Sequence, residues 1–393
     1  MRSLLIGGAR SATGYGRVLR QIGHALAPLG PIDCIQVGPD DGLSAPGALL
    51  HNPHRFDFGA RRFIAQAAVE RDPDVALVVH DLEYCAEVAR LIARAGARCA
   101  VITYCPLEGP LAPTAPVTAL DTAAAVVLYT PGDAAAVARR FDQRAGRSPG
   151  TITAIPHGIE RSSFVPLGDA DGARRRLFGD AFAAETSFLV LNANRPVGRK
   201  RLDTTLRLFA RFAAGKPPSV RLLLKAVGPA SRPADLGDQV QALGLAGRVH
   251  WTDALGLPHP LPDTALNLLY NACEVGLNTS QGEGWGLVAY EHAAAGAAQI
   301  VPHHASAEAW RGYPGLIPTS ARAPADGSSF GCVDIEEERA LQVLERLYAD
   351  PAFRAEAGRQ ARQIATRPEF DWSVIGAAWR QLVRSVLAYR TRD

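Results

Sequence analysis

Two glutamates, Glu283 and Glu291, stand eight residues apart in the stretch TSQGEGWGLVAYEHAAAG. CEVGLNTS reads as a buried strand ending at Ser280, QGEGWG as a loop, and LVAYEHAAAG as a helix closed by Gly296. Gly282, Gly284 and Gly286 carry no Cβ, so the loop backbone can approach a ligand closely. The amides of Leu287 and Val288 fall at the helix start, where donors lack intrahelical acceptors and suit an anion. Glu291 lies about one turn into the helix. That is too deep to cap it, but the carboxylate can accept two hydrogen bonds from a diol such as a ribose. Glu283 stays in the loop, so one carboxylate falls on each side of a bound phosphate. Ser280, Gly284, Trp285 and Gly286 join the same candidate binding stretch. The bland alternative is a glycine-rich strand–helix turn with two solvated glutamates, and a glycine-rich loop alone is a weak signal.

A second stretch, LNANRPVGRKRLD, also follows a strand and precedes a helix. Arg195 and Lys200 are two cations of the kind that offset charge on a departing diphosphate. Cations at a helix N-terminus are disfavoured unless an anion is held there, which counts against a merely solvated basic turn. Arg199 and Arg201 leave the choice of cation ambiguous. A third stretch, GGARSATGYGRVLRQIG, is a glycine-rich strand–helix loop that does not form G-x-G-x-x-G, which weakens a dinucleotide reading. The loop is similar to the first strand–helix loop of GT-B enzymes, a resemblance that implies Gly14 near the donor phosphate and Tyr15 near an acceptor. Three further strand ends carry His80 with Asp81, Tyr104 with Cys105 and Glu108, and His157. His80, Tyr104, Glu108 and His157 are candidates for the acceptor or sugar side, each balanced against a structural role, with His157 leaning to a hinge.

These residues need a scaffold that brings strand ends together. Short apolar runs (SLLIGG, DVALVVH, RCAVITY, AVVLYT, SFLVLNANR, SVRLLLKAVG, RVHW, CEVGLNTS, AQIVP, GLIPT) alternate with helical patterns, which is the rhythm of βαβ units and parallel sheet. The rhythm breaks between Ile159 and about Glu185, a polar stretch read as an interdomain connection. The expected organisation is an α/β chain of two doubly wound, Rossmann-like domains facing a central cleft. Residues 1–160 are expected to form the N-terminal domain, 161–185 the connection, 186–368 the C-terminal domain, and 369–393 a helix crossing back to the N-terminal domain. Ligands of such sheets bind beyond the carboxyl ends of strands.

The bulk numbers place the chain in the soluble globular class. The chain has 393 residues, 47% apolar and 21% charged, with net charge +3. No basic run exceeds Arg174-Arg175-Arg176, so no nucleic-acid partner is expected, and peripheral membrane contact is the most a short basic patch allows. Six cysteines form no C-x-x-C and read as reduced core thiols of a cytoplasmic protein. No signal peptide or transmembrane run is expected, and no D-x-D-like metal motif stands in a suitable loop. A single Met with abundant Ala, Arg, Gly and Pro goes with a GC-rich bacterial genome.

The stretch SQGEGWGLVAYEHAAAG resembles the E-x7-E motif of retaining GT-B glycosyltransferases, in particular glycosyltransferase family 4. Trp285 stands for the family's Phe, His292 for its Ala, and Ala298 near its Pro. The resemblance implies that Glu291 binds the nucleotide ribose and Glu283 the donor sugar's hydroxyls. It also implies that Arg195 and Lys200, as R-x4-K, clamp the diphosphate, although Arg201 replaces the usual Gly. IPHGIE matches the family's stretch before its linker, whereas Cys105-Pro106 replaces its N-domain histidine. The implied activity is metal-independent sugar transfer by a front-face mechanism, with Glu283, Arg195 and Lys200 catalytic and no cofactor. The donor is a nucleoside-diphosphate sugar, UDP- or GDP-linked, and the acceptor a glycan, lipid or small molecule. The rivals are a nucleotide-sugar epimerase or a phosphorylase of the same fold, and a non-catalytic nucleotide-sugar binder. An NAD(P) oxidoreductase lacks its fingerprint here.

Overall fold

A computed structural model of the chain describes residues 1–51, 58–143, 146, 148–225, 234–322 and 328–390. It divides into two units. The first takes in Met1–Gly158, Ala325–Phe330 and Pro368–Asp393, and the second Ile159–Pro324 and Gly331–Arg367.

In the first unit the chain runs β1 (Ser3–Gly7), α1 (Gly14–Leu26), β2 (Ile32–Gln36), β3 (Ala48–Leu50), α2 (Phe58–Arg71), β4 (Val75–Val79), α3 (Leu82–Arg94), β5 (Ala100–Tyr104), β6 (Ala125–Leu128), α4 (Pro131–Asp142) and β7 (Ile152–Ala154). These seven strands form one parallel sheet in the order β3-β2-β1-β4-β5-β6-β7. β1, β4 and β5 are buried along their whole length, which is why they read as unbroken apolar runs rather than alternating ones. The order reverses between β1 and β4, so the loops after those two strands diverge to opposite faces and leave a crevice at the switch point.

The second unit runs α5 (Ala170–Phe178), α6 (Asp180–Ala184), β8 (Phe188–Asn192), α7 (Leu202–Ala213), β9 (Val220–Leu224), α8 (Ala234–Ala242), β10 (Val249–Trp251), α9 (Asp263–Asn271), β11 (Val275–Leu277), α10 (Leu287–Ala294), β12 (Ala298–Pro302), β13 (Leu316–Ile317), β14 (Thr319–Arg322), β15 (Cys332–Ile335), α11 (Glu337–Ala349) and α12 (Pro351–Ala365). Its main sheet is also parallel, in the order β10-β9-β8-β11-β12-β13, with the reversal between β8 and β11. The antiparallel hairpin β14–β15 has no counterpart in the sequence reading.

The stretch 161–185 is not a bare connection. Asp169 caps α5 by accepting from the Gly172 amide at 2.7 Å, and Arg174 is buried at 2% exposure. Its guanidinium donates to the Ala272 carbonyl at 2.9 Å and pairs with Glu274. The polar composition that suggests a linker is therefore an anchor into the second unit. The closing helix α13 (Trp372–Arg390) clusters with the first unit. It buries Ile375, Trp379, Val383 and Val386, with the Trp379 ring edge-on to Tyr104 at 4.9 Å. Among the described residues no helix is long and apolar enough to cross a membrane.

Candidate active site

In the second unit both chemically suggestive loops spring from the switch point: 193–201 after β8 and 278–286 after β11. Each strand gives way to an asparagine, and these side chains interlock. Asn194 Nδ2 donates to Asn192 Oδ1 at 3.0 Å and to Asn278 Oδ1 at 3.2 Å. Asn278 Nδ2 then reaches Glu283 Oε1 at 3.4 Å, and Ser280 Oγ donates to the same oxygen at 3.2 Å. The loops are also stitched through their backbones. Gln281 N donates to Arg199 O at 2.8 Å, Arg199 Nη1 to Gly282 O at 2.7 Å, and Thr279 Oγ1 to Arg201 O at 2.9 Å.

The centre of this arrangement is a buried ion pair. Lys200 Nζ lies 2.5 Å from Glu283 Oε2, and Arg199 Nη1 lies 3.9 Å from it. Burial alone would raise the Glu283 carboxyl, but Lys200, Arg199 and His304 together outweigh burial and hold it down at about 2. Glu283 is therefore a carboxylate throughout the neutral range. His304, beyond β12 at the same strand edge, is buried and kept neutral, its pKa lowered to about 4. Burial does this, against the pull of Glu283.

Glu291 lies in the second turn of α10 and is buried. Tyr270 Oη donates to its Oε2 at 2.8 Å, and the Tyr270 ring stacks on His292 with centroids 5.2 Å apart. Gly286 opens α10 with φ +88°, a conformation that glycine adopts without strain. The first helical amides are those of Leu287 and Val288, while the Ala289 amide already turns back to Gly286 O at 2.9 Å. Trp285 is buried and stacked on Tyr290 at 5.0 Å.

Of the two cations expected to act, the structure brings Lys200 to Glu283 and leaves Arg195 exposed earlier in the loop. Arg199 is the guanidinium beside the carboxylate. Spacing favoured Arg195, whereas the turn 198–200 swings Arg199 inward. Asn192, Asn194, Asn278 and His304 also adjoin this candidate site, and the sequence reading does not include them. The available signal was the repeated Leu-Asn at the ends of two apolar strands, LVLN and VGLN.

In the first unit, Gly14 is exposed at the first position of α1, behind the cap made by Thr13 Oγ1 with the Gly16 amide at 3.3 Å. Tyr15 and Asp81 bridge the β1–β4 switch point, with the Tyr15 hydroxyl donating to Asp81 Oδ1. His80 stacks between Tyr15, at 5.6 Å, and Tyr84, at 4.4 Å, and burial lowers its pKa against the opposing effect of Asp81. Glu108 is half-buried in the loop after β5. Tyr104 and His157 form a separate interior cluster. Tyr104 Oη donates to Ile155 O at 2.7 Å and lies 2.9 Å from His157 Nδ1, and Tyr129 packs on the His157 ring at 4.1 Å. Both are buried, at 0% and 4% exposure, so neither side chain is open to an acceptor.

No family model matches the chain. A D-inositol 3-phosphate glycosyltransferase of Thermobifida fusca (strain YX) is 27% identical over 250 residues, covering 62% of this chain and 50% of that protein. The chain thus spans about half the length of the curated relatives it matches first. Among solved structures, the sucrose-phosphate synthase from Thermosynechococcus elongatus superposes with TM-score 0.75 at 19% identity, covering 99% of this chain and 100% of that one. Anabaena HepE in complex with UDP-glucose gives TM-score 0.71 at 19% identity, over 98% of this chain and all of that one. The fold is GT-B, two Rossmann-like domains in one chain. Within that class the chain resembles the family 4 glycosyltransferases.

Proposed function

We propose that the chain is a retaining glycosyltransferase that moves a sugar from a nucleoside-diphosphate sugar to an acceptor hydroxyl, with a UDP-sugar as the first donor to test. The observation that carries this is the buried Lys200–Glu283 pair at the β8–β11 switch point, with Arg199 beside it and the α10 amides next in the chain. Relatives named as glycosyltransferases and a neighbour solved with UDP-glucose support it.

In this reading Lys200, Arg199 and the Leu287 and Val288 amides stabilise the diphosphate as it departs. Arg195, exposed at the loop start, meets the outer phosphate oxygens. Glu291, held by Tyr270, takes the ribose diol, and Glu283 orients the sugar hydroxyls. Trp285 stays behind the loop as packing. The acceptor oxygen bonds to the anomeric carbon as the bond from that carbon to the phosphate oxygen breaks. The acceptor proton passes to the departing phosphate on the same face, which retains configuration. Glu283, fixed as a carboxylate, is no general acid, and its pairing with Lys200 separates it from the two-carboxylate chemistry of retaining glycosidases. The reaction needs no metal in this scheme, and a cytoplasmic site supplies the donor.

The test is UDP release from UDP-glucose, with and without EDTA, together with UDP binding, for the native chain and for Glu291→Ala and Lys200→Ala. EDTA-resistant release that both substitutions abolish is expected, and the product anomer read by NMR decides retention. UDP binding without turnover under any acceptor would favour a nucleotide-sugar binding protein. No binding of UDP or GDP would remove the donor assignment.

A further inference from the structure

The loop after β8 in the second unit and the strand-end loops of the first unit differ in charge. In the second unit the loop after β8 holds Arg195, Arg199, Lys200 and Arg201 and no acid. In the first unit the described loops directly following β1, β2, β4, β5, β6 and β7 hold Asp40, Asp41, Asp81, Glu108 and Asp121 against one cation, Arg10. Arg10 is paired with Asp40 at 3.1 Å. Among the helix cations nearby, which include Arg17 in the first turn of α1, Arg20 donates to Ser11 O at 2.6 Å and Arg61 pairs with Glu87 at 3.1 Å.

A phosphate at the first unit's switch point would seek the amides and hydroxyls of the loop before α1. Protein oxygens already hold several of these. Asp41 Oδ2 accepts from the Ala12 amide at 2.7 Å and lies 3.3 Å from Ser11 Oγ, and Thr13 Oγ1 takes the Gly16 amide. Across the crevice the Asp81 carboxylate is half open, at 50% exposure, and bonded by Tyr15, whose ring stacks on His80, while the buried Tyr84 ring lies tilted on the far side of His80. A half-open carboxylate beside the partly exposed Tyr15 suits a ligand that offers hydroxyl donors. It repels a phosphate dianion.

We infer that the acceptor is a non-phosphorylated polyol, bound at the β1–β4 switch point with Asp81 accepting from its hydroxyls. This rests on the glycosyltransferase reading above and goes beyond it. It also sets the chain apart from relatives whose names carry phosphorylated substrates or products.

The experiment offers UDP-glucose with matched acceptor pairs: glucose against glucose 6-phosphate, and myo-inositol against its 3-phosphate. Transfer to the neutral member at least about tenfold faster, a 1.4 kcal/mol preference, is expected, and faster transfer to the phosphorylated member overturns the inference. If neither member of a pair is used, the UDP-saturated protein is titrated calorimetrically with glucose 6-phosphate. No saturable heat supports the inference, and saturation with Kd below about 1 mM overturns it. Asp41→Asn with Asp81→Asn is expected to improve any response to glucose 6-phosphate, and an unchanged or weaker response counts against the charge argument. Failure of UDP to bind would strike the donor reading instead, whereas UDP binding with a phosphorylated preference strikes only this inference.

Discussion

Lys200 and Glu283 are each buried, and each is the other's principal counter-ion. Removing one partner of such a pair strands a charge in a poorly hydrated place, at a cost of about 3 kcal/mol or more. Lys200→Ala should therefore lower the thermal midpoint as well as transfer, and Lys200→Met with Glu283→Gln should cost less than the two single changes added together. Differential scanning calorimetry of the four proteins gives the coupling, and strict additivity would contradict a direct pair. The carboxylate's own pH dependence follows from its lowered pKa. Its contribution is complete above the ordinary 4.5 and is lost as pH falls toward about 2. Three buried histidines act at higher pH. His157, His292 and His304 have pKa values lowered by burial to about 3, 4 and 4 from an ordinary 6.5. Below 6.5 the unfolded chain takes up protons that the folded chain refuses, so stability is complete above that value and falls as pH drops toward 4. His292→Gln should flatten the slope of midpoint against pH between 4 and 6 by about one proton, and an unchanged slope would show that His292 does not stay neutral. The carboxylates were legible in the sequence because their types and spacing are unusual. Their partners were less so: only the turn of the chain decides between Arg195 and Arg199, and no local pattern announces that an asparagine ladder spans two strands.

The loop–helix joint after β1 shows what an element adds. Its glycines do not make a dinucleotide fingerprint, and the structure gives Gly16 a different task. A Cβ on Gly16 would come 2.1 Å from Ser11 O and 2.5 Å from Gly8 O, both backbone atoms with little room to yield. Glycine here lets the loop fold down over the first turn of α1, and that in turn sets Tyr15 against Asp81. Gly16→Ala should destabilise the protein by about 2 kcal/mol and weaken acceptor use more than UDP binding. Comparing KM for acceptor with Kd for UDP checks this, and equal losses in both would speak against a local effect. The strands around the joint were readable because fully buried parallel strands are nearly continuous apolar runs. The short edge strand β3 and the hairpin β14–β15 were not, because edges and hairpin faces are partly exposed and mix polar with apolar residues. The hairpin nonetheless touches the candidate site, since Asp334 on β15 accepts from Gln281 Nε2 at 2.7 Å and from Arg201 Nη1 at 3.1 Å, tying together the loops after β8 and β11.

At the scale of the whole chain, the order of segments and the division into units disagree, because the last helix clusters with the first unit while everything between Ile159 and Pro324 belongs to the second. A chain of two units need not unfold in one step, and a ligand stabilises only the structure that binds it. Apart from Gly14, the groups assigned to UDP (Arg195, Arg199, Lys200, Glu291 and the α10 amides) lie in the second unit. UDP at about one hundred times its Kd adds about 2.7 kcal/mol to the species that binds it. The expectation is a calorimetric trace in which UDP raises the transition of the second unit and leaves any separate transition of the first unchanged, with the shift absent in Glu291→Ala. Cutting the chain after Arg367 removes Ile375, Trp379, Val383 and Val386 from the first unit's interior. Because the β8–β11 loops and their ligand groups lie outside the segment removed, the truncated chain should lose the first unit's transition and keep a UDP-dependent one. A truncated chain that no longer responds to UDP would show that the second unit does not hold the donor site by itself.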